Sequence, residues 1–369
     1  MLKIYPFYLK TTVIFLGLIL FVYALFNLKS ILIPISFSIL LAVLLNPLVN
    51  LLQRWHVRKV LAIMLAIFIA IIIIVGVIYF ITMELANFSD QMPLLKKKFS
   101  DIFAQSQQFI NEHFNIPLSK QQQYISDTQA GLKPLIGTAL GTVMGTLAMI
   151  FLLPVYTFLF LFYKVLILNF LYETFSETNS NEVNVVLKQT KGAIQSYMFG
   201  LLLEALIVAV LNTTALFILG VDYAILLGLV GAILNILPYI GGMIAILLPI
   251  IIATVTKEGY NTQLGILAAY LVIQFIDNHF LVPYIVSSKV KINALVSIVI
   301  VLLGNALWGV SGMFLSIPFL GILKIIFDRV PDLKHWGKLF GDQVPTRHKG
   351  QIWSLRKRQP VTPVIKTEI

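Results

Sequence analysis

Six stretches of this chain, residues 11–28, 31–52, 60–82, 138–163, 201–220 and 263–285, are apolar over the length a helix needs to cross a bilayer. A hydrocarbon core of about 30 Å takes roughly 20 helical residues. Nothing else constrains the fold as much, because a backbone in lipid must satisfy its own hydrogen bonds, as helices do. Charged residues make up 12% of the chain, about half the typical share of a soluble domain. The first run ends in "YALFNLKS" with no small-residue cleavage site and leads straight into the second; it reads as a retained span. The expected fold is therefore an all-α polytopic membrane protein of about eight transmembrane segments.

Two further apolar regions remain. Residues 223–256 would form a single helix of about 51 Å, too long for one span. Split at "PYIGG" (Pro238 to Gly242), each half is only about 22 Å. Residues 295–326 repeat the problem around "GNALWGVSG" (Gly304 to Gly312). Proline lacks the N–H a helix needs, and glycine costs about 1 kcal/mol in a helix interior. Broken backbone at membrane depth survives only inside protein or beside a water-filled cavity. Both regions read as re-entrant helical hairpins, with Pro238, Gly241 and Gly242 at one tip and Gly309 and Gly312 at the other.

The formal charge of +11 does not point to nucleic acid, because the basic residues sit in short loops and a tail, as topology signals do. The basic loop "RWHVRK" (Arg54 to Lys59) is expected in the cytoplasm. That puts the N-terminus inside, residues 84–137 outside and 164–200 inside. Lys96 to Lys98 then lie outside against the trend, which a long translocated segment permits. Hairpins rather than crossings leave Lys289 and Lys291, in the 286–294 loop, inside as well.

The expected organisation is three spans over 1–83, an extracytoplasmic amphipathic segment over 84–137, a span over 138–163 and a cytoplasmic helical loop over 164–200. A transport core over 201–327 and a basic, disordered cytoplasmic tail over 328–369 complete the chain. In 84–137, Leu95, Phe99, Ile102, Phe103, Phe109 and Ile110 recur at helical spacing. That face would lie on the outer leaflet, on a neighbouring subunit or on the chain's own bundle. "GTALGTVMG" (Gly137, Gly141, Gly145) is a doubled small-xxx-small pattern suited to close helix packing. The tail's Arg356-Lys357-Arg358 cluster suits anionic headgroups.

Ionisable groups inside spans are costly and so mark candidate function. Glu204 lies in "MFGLLLEALIV", and Asp277 and His279 lie in "VIQFIDNHFLVPYIV". Gln274 and Asn278 stand within a turn of Asp277. Asn235 precedes one tip and Asn305 occupies the other. These residues would bind a small polar solute or a monovalent cation, although interfacial placement of Glu204 and a purely structural Asp277 or His279 remain alternatives. No cysteine occurs, so thiolate metal sites and disulfides are excluded. "GVSG" (Gly309 to Gly312) has a serine-protease look, but the later histidines, His335 and His348, lie in the tail. No H-E-x-x-H or P-loop signature is present, and no arginine ladder. No enzymatic activity, metal or cofactor is expected.

The stretch "GLLLEALIVAVLNTTALFILGVDYAILLGLVGAILNILPYIGG", followed by "QFIDNHFLVPYIV" and "LLGNALWGVSGMFLSIPF", resembles the autoinducer-2 exporter (AI-2E) family of PerM-type permeases. The resemblance is strongest over 190–326. It implies a bacterial inner-membrane protein of about eight transmembrane segments, working as a homo-oligomer such as a pentamer. It also implies export of an autoinducer-2-like solute, or exchange of Na⁺ or Li⁺ for H⁺. By position, Pro238, Gly241 and Gly242 match one family motif, Asp277, Asn278 and Pro283 a second, and Gly309, Gly312 and Pro318 a third. The chain departs from the pattern at "VSS" (Val286 to Ser288), where a glycine is common, and at Asn293-Ala294, near a common proline. On this reading the hairpin tips face each other at mid-membrane, with Asp277 as the coupling carboxylate. A non-transporting scaffold and a passive channel are the competing functions.

Overall fold

The computed structural model of the chain describes residues 6–90, 92–121, 151–175, 180–237, 241–286 and 292–342. The described residues are almost wholly helical. Helices α1 (Phe7–Asn27) and α2 (Lys29–Arg54) are separated only at Leu28, and α3 (Lys59–Asp90) returns across the bundle. Helix α4 (Met92–Phe114) follows. Helices α5 (Phe151–Phe162) and α6 (Lys164–Thr174) form one path bent by 60°. The centre of the molecule is α7 (Ser180–Ile218). It is followed by α8 (Ala224–Asn235), α9 (Gly241–Thr256) and α10 (Asn261–Ile276). A π-helical segment (Asp277–Val286), then α11 (Ala294–Arg329) and α12 (Lys334–Phe340), complete the described chain.

Among the described residues six helices are long and apolar enough to cross a membrane, and the bent α5–α6 pair makes up to seven. Helices α8 and α9 are too short to count among them. They form a hairpin whose base is pinned by Lys257 Nζ and Asp222 Oδ1, 3.7 Å apart. Its outer face packs on α7, where Gly228 lets the Thr213 backbone come so close that a Cβ would overlap it. The two helices thus approach along a strip of small residues, as apolar helices without a hydrophobic drive between them must.

The second break is also a hairpin. Within α11, Trp308 and Gly309 leave helical geometry, and Gly309 takes φ 61°, ψ −142°, a conformation open almost only to glycine. The legs fold back on each other: Ser316 Oγ donates to Ile300 O at 3.0 Å and to Gly312 O at 2.6 Å. In a straight helix Ile300 and Ser316 would stand about 24 Å apart. Gly304 and Gly312 face each other where the legs are closest, with no room for a side chain.

The bundle has one markedly basic end. There Lys59 Nζ donates to Phe162 O, Lys164 Nζ donates to Asn46 Oδ1 at 2.9 Å, and Arg329 pairs with Glu182. The chain does not lose structure at Asp328. Helix α11 runs to Arg329, Pro331 opens a short 3-10 turn, and α12 is clasped by Asn293. Asn293 Nδ2 donates to Leu339 O at 2.6 Å and Gly341 O at 3.2 Å, while its backbone N–H donates to Phe340 O. Prolines and polar residues here had suggested a disordered tail over the whole of 328–369; the backbone carbonyls at the end of α12 instead find a donor. The tail beyond 342, with Arg356 to Arg358, lies outside the described residues, as do the 137–145 glycines, Pro238, Lys289 and Lys291. Helix α4 packs on α9 of its own chain, with Ile102 and Ile110 half-buried and Phe103 and Phe109 exposed.

Candidate functional site

Glu204 lies on the middle turns of α7 and Asp277 at the junction of α10 with the π segment. Both sit in apolar stretches, yet they are 6% and 3% exposed, so each must find polar company inside the protein. Asn235, the last residue of α8, donates from Nδ2 to Asp277 Oδ2 at 3.0 Å. Gln274 Nε2 reaches the same oxygen at 3.4 Å. The Glu204 and Asp277 side chains lie within hydrogen-bonding reach of one another.

The glycines at the first tip make this meeting possible. Gly241 is packed against the carbonyl of Leu234, and Gly242 against the amide ends of Gln274 and Asn235. A side chain at Gly241 would force the two legs of the hairpin apart, and one at Gly242 would meet Gln274 of α10. The tip therefore ends on the site itself.

The π segment supplies the third wall. Pro283 has no N–H to give, which disfavours regular α-helix around it. In a π turn, residues five apart stack above each other. Asp277 with Val282 and Asn278 with Pro283 are such pairs, and all four line one cavity of about 890 Å³. The remaining wall comes from α7 (Ala193, Tyr197, Leu201, Glu204), α10 (Tyr270, Gln274) and both legs of the second hairpin (Ser297, Pro318). From Ala193 to Glu204 the cavity follows α7 for about 16 Å. Asp342, past the end of α12, borders it as well. No lysine, arginine or histidine lines it among the described residues. A separate chamber of about 10 Å³, room for one water, lies behind Asp277 and is bordered by Asn212, Gly231 and Tyr270.

Of the residues expected from sequence, Glu204, Asn235, Gln274, Asp277, Asn278 and Gly242 line this cavity, and Gly241 is buried beside it. Asn305, Gly309 and Gly312 do not. Trp308 Nε1 donates to Leu25 O at 2.9 Å, fixing the second tip to α1, while Pro238 of the first tip lies outside the described residues. Asn305 and Gly309 are exposed there. The second hairpin offers its legs to the cavity instead. His279 is exposed, stacked on Phe275, with Nδ1 3.0 Å from Phe275 O. The sequence reading had not singled out Tyr197, Tyr270, Asn212 or Asp342. Asn212 was findable as a lone amide in "IVAVLNTTAL", whereas the two tyrosines carry no signal that separates them from interfacial ones.

A bundle of membrane-length helices enclosing a cavity, with a short helical hairpin ending on buried carboxyls, defines a multi-pass membrane protein. The sequence profile of the AI-2E family transporters matches residues 11–332, and the chain belongs to that family. Its relatives include the Bacillus subtilis protein YrrI, named as a transport protein, 28% identical over 38% of this chain and 39% of that one. The Escherichia coli permease PerM is 27% identical over 40% of this chain and 42% of its own. TqsA of Escherichia coli, named as an AI-2 transport protein, is 32% identical over 30% of this chain and 32% of its own. These matches span about two fifths or less of the relatives' length.

Proposed function

We propose that this membrane transporter is a secondary active one. It would export a small polar solute of the autoinducer-2 kind, or exchange Na⁺ or Li⁺ for H⁺, by alternating access. The observation that carries this reading is the cavity of about 890 Å³ that ends on Glu204 and Asp277. A purely structural bundle has no use for two buried carboxyls beside open volume, since each is costly to bury and is retained where charge must move. In this reading Asp277 is the coupling carboxylate, and Gln274, Asn278, Asn235 and Glu204 complete the binding site. The α8–α9 hairpin, short and closed by a two-glycine tip, is the moving gate. Movement of this core against the helices before it exposes the cavity to either side in turn.

The basic end of the bundle, with Lys59, Lys164 and Arg329, faces the cytoplasm of a bacterial inner membrane by the positive-inside rule. Both termini are then cytoplasmic. Helix α1 is apolar on every side and buries no residue within the chain, which suits a homo-oligomer such as a pentamer. TqsA's name supports a quorum-signal-like solute for this chain.

The test is transport in liposomes. Purified protein is reconstituted with a pH reporter inside, and Na⁺, Li⁺ or K⁺ is added outside. Wild type should move protons against Na⁺ or Li⁺, and Asp277→Asn should not, at equal amounts of folded protein. Proton coupling at wild-type rate in Asp277→Asn would remove Asp277 from the mechanism. If neither protein moves protons on adding a cation, the same vesicles loaded with labelled autoinducer-2 test solute export.

A further inference from the structure

Asp277 and Glu204 each leave one buried oxygen with no donor. Both amides near Asp277, from Asn235 and Gln274, go to its Oδ2. No N–H or O–H of another residue reaches Asp277 Oδ1 or Glu204 Oε2. The two side chains nevertheless face each other within hydrogen-bonding reach. An ionised carboxylate only accepts hydrogen bonds, so two of them in contact repel and leave both oxygens orphaned. A single proton turns that contact into a hydrogen bond.

We propose that Glu204 and Asp277 form one proton-binding unit, two carboxyls holding one proton between them, and that this unit, rather than Asp277 alone, is the coupling site. The second half of the statement rests on the transport reading above; the first half does not. Among the described residues the surroundings hold no counter-charge. Tyr197 faces the pair from the helix that carries Glu204, Asn235 from α8, and Tyr270 and Gln274 from α10. Helix α9 presents Gly242 and Met243, α11 presents Ser297 and Pro318, and Asp342 adds a further carboxylate to the cavity wall. None of these is a cation.

The position of the pair fits a proton that passes through. Asp277 borders both the large cavity and the one-water chamber behind it. Tyr270 borders both as well, and its hydroxyl is buried with no partner. A water in that chamber would bridge Tyr270 and Asp277 and give the proton a second exit. Loss of the proton to either side leaves the pair with an added negative charge facing the cavity. The unit then draws in a cation or a neutral solute rich in hydroxyl donors, and it repels anions. The proton leaves and returns at the carboxyls, and no covalent bond to the solute forms.

The test reads the proton directly. Full-length protein in lipid is followed by infrared difference spectroscopy while bulk pH is raised from neutral. Wild type should show one protonated-carboxyl carbonyl band at neutral pH that is lost on titration. Both Glu204→Gln and Asp277→Asn should abolish it, because the new amide donates to the surviving carboxylate in place of the proton. A band lost in one variant and kept in the other would reduce the pair to a single acid and overturn the proposal. Absence of the band from wild type would overturn it too. Carbon-13 labelling of glutamate or of aspartate in the wild-type protein asks the same question without substitution, and a shared proton requires the band to respond to both labels. If the bands behave as expected while both variants still couple proton movement to transport, the pair stands and its coupling role falls.

Discussion

Gly241 and Gly242 are neighbours at one hairpin tip, yet alanine should act on them in different ways. A Cβ at Gly241 would overlap the Leu234 carbonyl and come within 2.9 Å of Asn235 Cα. Both obstacles are backbone, so the legs of the hairpin must part, at a cost of about 1–3 kcal/mol for such overpacking. Against a typical total of about 5–15 kcal/mol, that is a visible loss. At Gly242 the new methyl meets the amide oxygen of Gln274, with Asn235 Oδ1 at 3.2 Å. Gln274 is flexible and can swing aside, giving up its long 3.4 Å contact with Asp277, worth about 1 kcal/mol or less. Alanine also favours the helix by up to about 1 kcal/mol over glycine, so the two terms roughly cancel in stability. They do not cancel in function, because Gln274 has left Asp277. About 1 kcal/mol at the site corresponds to roughly a fivefold change in rate or affinity. Thermal melting of the detergent-solubilised protein, followed by size-exclusion, should show a lowered midpoint for Gly241→Ala and an unchanged one for Gly242→Ala. Liposome flux at matched protein should fall about fivefold in Gly242→Ala. A stable Gly241→Ala, or a Gly242→Ala that transports like wild type, would refute the tip geometry described here.

At the second hairpin, Gly312→Ala should lower the melting midpoint by an amount equivalent to about 2–4 kcal/mol, from backbone overlap with Gly304 and a weakened Ser316–Ile300 bond. Gly17→Ala, with nothing near its Cβ, is the control and should be neutral or stabilising by up to about 1 kcal/mol; equal melting of the two variants would argue against a closed hairpin. Asn293→Ala removes a helix cap on Val296 N–H and two bonds to the end of α12, a local loss of about 2–3 kcal/mol. Amide exchange over 331–340 should speed up while the global midpoint moves little, and unchanged exchange would show that Asn293 does not hold α12.

Much of this architecture was legible because lipid makes length and breakage informative. A run too long for one span and too short for two, as at 223–256, has few solutions, and Pro238 to Gly242 mark where it turns. The same logic located the second turn at Gly309. Where the tips go was not legible. The Trp308 indole bonds to a carbonyl of α1, a partner hundreds of residues earlier, and no local pattern encodes such a choice. The helical period of α4 was readable, but of its apolar residues Ile102 and Ile110 are half-buried while Phe103 and Phe109 are exposed, and what it packs on depends on where α9 ends up. Asn293 looked like a departure from a family proline, and its role as a clasp emerges only once α12 lies beside it.

The site was half legible for the same reason. Asp277 announces itself as an acid in an apolar span, and Glu204 does too, but sequence presents them as two separate costs. In the folded chain each is part of the other's environment. The π segment lies against α7 and sets Asp277, Asn278, Val282 and Pro283 along one wall of the cavity that Glu204 also lines. The two hairpins divide the remaining work. The first ends on the carboxyls and can move only as far as two glycines allow, while the second, fixed by Trp308 to α1, gives the cavity a wall against which that movement counts.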